Sequence, residues 1–247
     1  MIRLKDFTIG YGKKILLKEI NTLFPDSSLT ALIGRNGTGK STLLRAIAGL
    51  NPKYSGEILI NDRNLKSLSQ KELASVLSFV NTQHPRISNL TCNDIISLGR
   101  SPFTGWTGRL SEKDSLMIEE ALENVGMKSY RNRQINSLSD GEFQRVMIAR
   151  AIAQDTPVII LDEPTSFLDL PTRFEVVGLL KRLSSEKGKT VIFSTHELDI
   201  AVEMADYIAL IDDQNLLNLP VKEMISQGHI RRLFEIPGDY INRLLQL

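Results

Sequence analysis

The stretch LTALIGRNGTGKSTLLRAIAGL, residues 29–50, decides the fold. Its opening, Leu29 to Gly34, is a short apolar run of strand type, and Ser41 to Leu50 reads as a helix that stops around Gly49, Asn51 and Pro52. Between them GRNGTGKST (34–42) fits G-x-x-x-x-G-K-[ST], a loop whose backbone N–H groups wrap phosphate oxygens. Gly34, Gly37 and Gly39 let the loop approach phosphate without side-chain collision, and Lys40 supplies positive charge. The hydroxyl of Ser41 suits Mg2+, while Asn36 and Thr42 complete the candidate phosphate-binding set. Taken alone, the loop specifies nucleotide phosphates and no more.

Outward from this stretch, Ile2 to Tyr11 alternates like a strand, and 56–62 returns to period two with a turn at Asn61 and Asp62. Between Gln83 and Pro157 the pattern becomes helical, with segments at Glu112 to Val125 and Gly141 to Gln154 and a turn-rich stretch from Gly99 to Gly108. Strands resume at 158–162 and 190–195, with a helix from about Thr172 to Lys187 between them. Strand, helix, strand implies a parallel sheet covered by helices. A final amphipathic helix is expected from Tyr240 to Leu247.

Two further motifs carry chemistry. VIILDEP (158–164) ends an apolar strand on Asp162 followed directly by Glu163. Adjacent residues of an extended chain point in different directions, so Asp162 can hold Mg2+ while Glu163 polarises a water for in-line attack on a terminal phosphate. LSDGE (138–142) places Ser139 and Glu142 as S-x-x-E before an amphipathic helix, which is a capping box. A helix N-terminus is also an anion site, so a structural and a phosphate-binding role are compatible there.

Bulk properties narrow the partners. The chain has 247 residues, with 30 Lys plus Arg against 29 Asp plus Glu, which gives no reason to expect nucleic-acid binding or general attraction to acidic membranes. Its single cysteine, Cys92, and an N-terminal segment without a signal-peptide core point to the cytoplasm. The longest apolar runs fall far below the ~18 residues of a membrane span, so any membrane role is that of a peripheral subunit.

The P-loop, LSDGE and VIILDEP in this order resemble the ATP-binding cassette (ABC) ATPases, and the resemblance runs from Tyr11 to at least Asp206. It implies a P-loop NTPase fold of the α/β class: a RecA-like parallel-sheet core, an N-terminal antiparallel β region and an inserted α-helical subdomain. The corresponding boundaries are about 1–84 and 157–212 for the core, about 85–156 for the helical subdomain and 213–247 for a short tail. The same resemblance assigns Tyr11, which lies 23 residues before Gly34, to stacking on adenine, and Gln83 to contact with Mg2+ or the attacking water. Ser166, Leu168 and Asp169 match a loop that bonds around the opposite site of a dimer, and His196, after a strand, matches a γ-phosphate contact. Ser139 and Gly141 would grip the γ-phosphate held by a second copy.

The family pattern further implies ATP and Mg2+, a homodimer, polytopic permease subunits and an external solute-binding protein, at the cytoplasmic face of the inner (plasma) membrane. The segments 97–114 and 153–176 resemble ATPase subunits of importers for iron-siderophore complexes, haem and cobalamin. A soluble assembly ATPase of iron-sulfur cluster type, or an importer ATPase for another solute, remains the alternative. The chain departs from the common LSGGQ form at Asp140 and Glu142, and Asp140 is expected to point away from phosphate.

Overall fold

Ile2 and Leu4, then Phe7 and Ile9, are buried at every second position, and an irregularity at Lys5 and Asp6 shifts the alternation by one residue, so one face of the first strand lies on a core. In the computed structural model, residues 1–12, 14–81, 89–106, 108–166 and 168–234 are described. They fall into two compact units, one made of 1–68 and 180–247 and one of 69–179. The expected helix at Tyr240–Leu247 and the candidate Gln83 lie outside the described residues.

The first unit begins with β1 (Ile2–Tyr11), β2 (Lys14–Phe24), β3 (Leu29–Gly34), α1 (Lys40–Ile47), β4 (Tyr54–Ile60) and β5 (Arg63–Asn64). The second contains α2 (Gln70–Val76), β6 (Leu77–Val80), α3 (Cys92–Ser97), α4 (Glu112–Asn124), α5 (Asp140–Gln154), β7 (Val158–Leu161) and the start of α6 (Leu170–Ser185). The chain then returns to the first unit through β8 (Thr190–Ser194), α7 (Leu198–Met204), β9 (Tyr207–Asp212), β10 (Asn215–Pro220), α8 (Val221–Ser226) and α9 (His229–Phe234).

Strands β2, β1, β4 and β5 form an antiparallel sheet in that order. Strand β3 is buried at every position and lies between two parallel neighbours, β9 and β8, with β10 antiparallel on the outer side of β9. A strand buried on both faces needs a continuous apolar run rather than alternation, which is what residues 29–34 supply. In the second unit β6 and β7 pair in parallel beside four helices and the first turns of α6. The α/β architecture with a parallel core, an antiparallel β region and added helices is therefore the expected one.

Differences from the sequence reading lie at element ends. Helix α1 stops at Ile47, three residues early, because the N–H groups of Gly49 and Leu50 turn back onto the carbonyls of Ala46 and Arg45. Helix α6 starts at Leu170 rather than Thr172, since the Asp169 carboxylate accepts the N–H of Thr172 at 3.1 Å and caps the turn. The turn at Asn61 and Asp62 is as expected, with both residues in the left-handed region.

One buried ion pair joins two residues of the 97–114 segment. Arg100 donates through Nε to Asp114 at 2.8 Å and through Nη1 to the carbonyls of Ala153 and Gln154, at the C-terminal end of α5. Both side chains are under 10% exposed, so removing one partner alone leaves a buried charge at a cost of about 3–5 kcal/mol.

Candidate nucleotide-binding and catalytic elements

The first unit carries the phosphate loop. It leaves the carboxyl end of β3, where Gly34 approaches the chain so closely that an added Cβ would stand 2.9 Å from the Ile211 carbonyl. Gly39 has φ +107, and a Cβ there would press on Leu16 of β2 at 3.1 Å, so the loop lies directly against the β1–β2 hairpin. That hairpin pairs Tyr11 with Lys14, and Tyr11 is 81% exposed. Lys40 is buried at 6% exposure, with Nζ donating to the carbonyls of Gly34 at 2.9 Å and Arg35 at 3.4 Å. Ser41 and Thr42 occupy the first turn of α1, and Asn36 and Gly37 form the exposed crest of the loop.

His196 follows β8, the parallel neighbour of β3. The two strands run in register with Leu32 opposite Ser194, and the N–H of Thr195 continues the ladder to the Leu32 carbonyl at 3.1 Å. The phosphate loop and the exposed His196 therefore emerge from the carboxyl ends of adjacent strands. Crevices at such strand ends are where open α/β sheets bind ligands. Arg35, which was not singled out from sequence, donates through Nε and Nη2 to the Leu233 carbonyl at 3.2 and 2.8 Å and ties the loop to α9.

In the second unit β7 delivers Asp162, 1% exposed, whose N–H bonds the Val80 carbonyl of β6 at 2.8 Å. Glu163 has φ +50 and lies beyond the strand end at Leu161, so a left-handed turn rather than strand alternation sets its backbone. The turn is closed by Ser166, whose hydroxyl donates to the Glu163 carbonyl at 2.7 Å and whose N–H does so at 3.2 Å. A non-glycine residue held in this region is strain of the kind that concentrates at functional sites.

LSDGE forms the capping box read from sequence. Glu142 Oε2 accepts the Ser139 N–H at 2.8 Å, and Ser139 Oγ accepts the Glu142 N–H at 3.2 Å. The glutamate that replaces glutamine is thus the closing half of the box, and the Ser139 N–H holds its carboxyl below the usual range. Boxes of the same kind start α2, α3 and α4 at Ser69, Thr91 and Ser111, so capping alone does not mark this helix as special. What sets it apart is a cleft of about 670 Å³ in which Ser139, Asp140 and Gly141 face Leu168, Asp169 and Thr172. Two helix N-termini, those of α5 and α6, converge on that cleft together with Arg145. Asp140 is exposed at its rim.

A glycine cradle that excludes side chains, a buried lysine at its base and a helix starting from it define a phosphate-binding site of the P-loop class. The family model for ABC transporters matches residues 17–166, and this chain belongs to that family. It binds ATP and is an ATPase. The iron(3+)-hydroxamate import ATP-binding protein FhuC of Bacillus subtilis is 34% identical over 234 residues, covering 94% of this chain and 87% of that one. The zinc transport system ATP-binding protein TroB of Treponema pallidum is 33% identical over 235 residues, 94% of this chain and 86% of its own. Among solved structures, the dimeric bacterial ABC transporter cassette MJ0796 superposes with a TM-score of 0.79 at 31% identity, covering 90% of this chain and 99% of the other. A post-hydrolysis dimer of the same cassette bound to ADP and Pi gives a TM-score of 0.77 with the same identity and coverage.

Among the described residues no helix is long and apolar enough to cross a membrane.

Proposed function

We propose that this chain is the ATP-hydrolysing subunit of an importer for iron-siderophore complexes, acting as a homodimer on polytopic permease subunits at the cytoplasmic face of the inner (plasma) membrane. An external solute-binding protein belongs to the full system. The observation that carries the reading is the cleft shared by Ser139, Gly141 and Asp169, an amide-rich surface with no triphosphate loop of its own on the same unit. Such a surface suits the terminal phosphate of ATP bound by a second copy. The solute assignment is supported by the 97–114 and 153–176 segments and by the iron-hydroxamate relative. The zinc-system relative shows how close other cargoes lie.

Within this reading the core is 1–84 and 157–212, the helical subdomain 85–156 and the tail 213–247. Tyr11 stacks on adenine. The amides of Gly34, Asn36, Gly37 and Gly39, with Lys40 and Thr42, hold phosphate oxygens. Ser41, Asp162 and Gln83 are oxygen donors of the type that hard cations prefer, which fits Mg2+. When bound, Mg2+ neutralises charge on the phosphates. Glu163 accepts a proton from the attacking water, and His196 donates a hydrogen bond to the γ-phosphate. Ser139 donates its hydroxyl proton, and Gly141 its amide, to the same phosphate from the partner subunit. Loss of that phosphate after hydrolysis releases the closed dimer and so moves the permease.

A gentle detergent pull-down of the tagged protein from its own cells tests the assignment. A stoichiometric multi-span partner is the expected result. Recovery of soluble partners alone, from an extract shown to release membrane complexes, would replace it with a soluble assembly ATPase.

A further inference from the structure

Between the α5 N-terminus and the Asp169 turn lies a guanidinium that neither motif accounts for. Arg145, six residues after Ser139 on α5, donates through Nη1 to the carbonyl of Val125, the C-cap of α4, at 3.3 Å. Its Nη2 donates to Thr172 Oγ1 at 3.2 Å and Glu175 Oε2 at 3.1 Å, both on α6. Thr172 in turn holds Asp169: its N–H donates to Asp169 Oδ1 at 3.1 Å. The Thr172 hydroxyl, ahead of that N–H and the Arg145 charge, keeps the Asp169 carboxyl below its usual range.

We propose that Arg145 is a positioning residue that fixes the spacing between Ser139–Gly141 and Asp169, so that a second copy of the chain meets both as one surface. This inference rests on the dimer reading above. The geometry requires arginine, because a planar fork reaches partners on α4 and α6 at once, whereas an ammonium on a flexible stem acts as a point charge. The Glu175 link is a weak contributor, since that carboxylate is 67% exposed and an exposed pair is worth little. The Val125 and Thr172 bonds, made from a side chain only 24% exposed, do the aligning. Through Thr172 the guanidinium acts on Asp169.

The test uses the full chain carrying Glu163→Gln, with ATP-driven dimerisation followed by sedimentation velocity and nucleotide affinity measured at a protein concentration too low for dimers. Adding Arg145→Ala is expected to raise the protein concentration for half-dimerisation by about tenfold or more, while nucleotide affinity stays within about twofold. Arg145→Lys should recover part of the loss, and Thr172→Val should shift dimerisation in the same direction with the guanidinium intact. With Glu163 present, Arg145→Ala should lower kcat and leave KM nearly unchanged. A brace that serves stability alone would lower the melting temperature and leave the dimerisation midpoint in place, which overturns the proposal. If Arg145→Ala does not fold, Thr172→Val decides by the same measurement. Failure of the Glu163→Gln parent to dimerise overturns the dimer reading itself. A dimerising parent with unaffected Arg145 and Thr172 variants overturns only the role of Arg145.

Discussion

Lys40 and Gly34 are joined by a hydrogen bond of 2.9 Å from the ammonium to the backbone carbonyl, across the mouth of the loop that both residues belong to. An ammonium bonds charged phosphate oxygens more strongly than backbone carbonyls, so Lys40 can turn from the Gly34 carbonyl to a phosphate. Lys40→Ala should therefore weaken ATP binding by about tenfold or more, read by equilibrium titration, while the folded state persists. Unchanged affinity would count against the phosphate-loop assignment.

Glu163 sits in a left-handed turn closed by Ser166, and its role separates cleanly from binding. Glu163→Gln keeps the side-chain shape and removes the base. ATP binding is expected to persist, a closed dimer to accumulate, and hydrolysis to fall by about a hundredfold or more. Near-normal turnover by this variant would remove Glu163 from catalysis.

Ser139 has two roles that a control variant can divide. Ser139→Ala and Ser69→Ala break capping boxes of the same kind, on α5 and α2, and should each lower helix stability by about 1 kcal/mol, measured by urea unfolding. Only Ser139→Ala should reduce ATPase activity well beyond that loss. Equal activities in the two variants would leave Ser139 as a cap and nothing more.

Asp140 occupies the first position of α5, at the rim of the cleft. A carboxylate there is favoured by the helix dipole, and we expect it to stay outward of phosphate. Asp140→Gly should change turnover by less than about threefold and lower the melting temperature slightly, since a first-turn charge is worth about 0.3–1 kcal/mol. A hundredfold rise in activity would show that the carboxylate faces phosphate after all.

The Arg100–Asp114 pair gives a pH signature. The Ser111 hydroxyl and N–H, followed by Arg100, lower the Asp114 carboxyl to about 2. A depressed carboxylate contributes its stability above the unfolded value of about 3.9 and loses it as pH falls through the folded value. Asp114→Asn should therefore be less stable than the parent at neutral pH, with the gap closing between about pH 4 and pH 2 in acid denaturation. A gap that persists unchanged at pH 2 would show that the carboxylate charge contributes nothing.

Most of the candidate site was legible because its parts are local. The phosphate loop, the capping box and the ends of β3 and β8 depend on residues within a few positions of one another, so periodicity and motif spacing carry them. Element ends were less legible: α1 stops early and α6 starts early through backbone and capping bonds that propensity does not rank. The orientation of Glu163 was inferred from strand alternation, yet β7 ends at Leu161 and a turn takes over. Glu142 was legible as a departure from the family form, and its bond to the Ser139 N–H explains why an acidic residue serves there.

By itself, the stretch from Leu29 to Leu50 determined that this protein has a phosphate loop between a buried strand and a helix, because glycine conformational freedom and an apolar run leave little else for it to form. LSDGE and VIILDEP narrowed that to one family. Tertiary structure alone decided the partners of the arginines: Arg35 with Leu233, Arg100 with Asp114 and the end of α5, and Arg145 with α4 and α6. A guanidinium bonds whatever carbonyls and side chains the packed core brings within 3 Å or so, and that proximity exists only after residues 14 to 198 positions apart have been folded together.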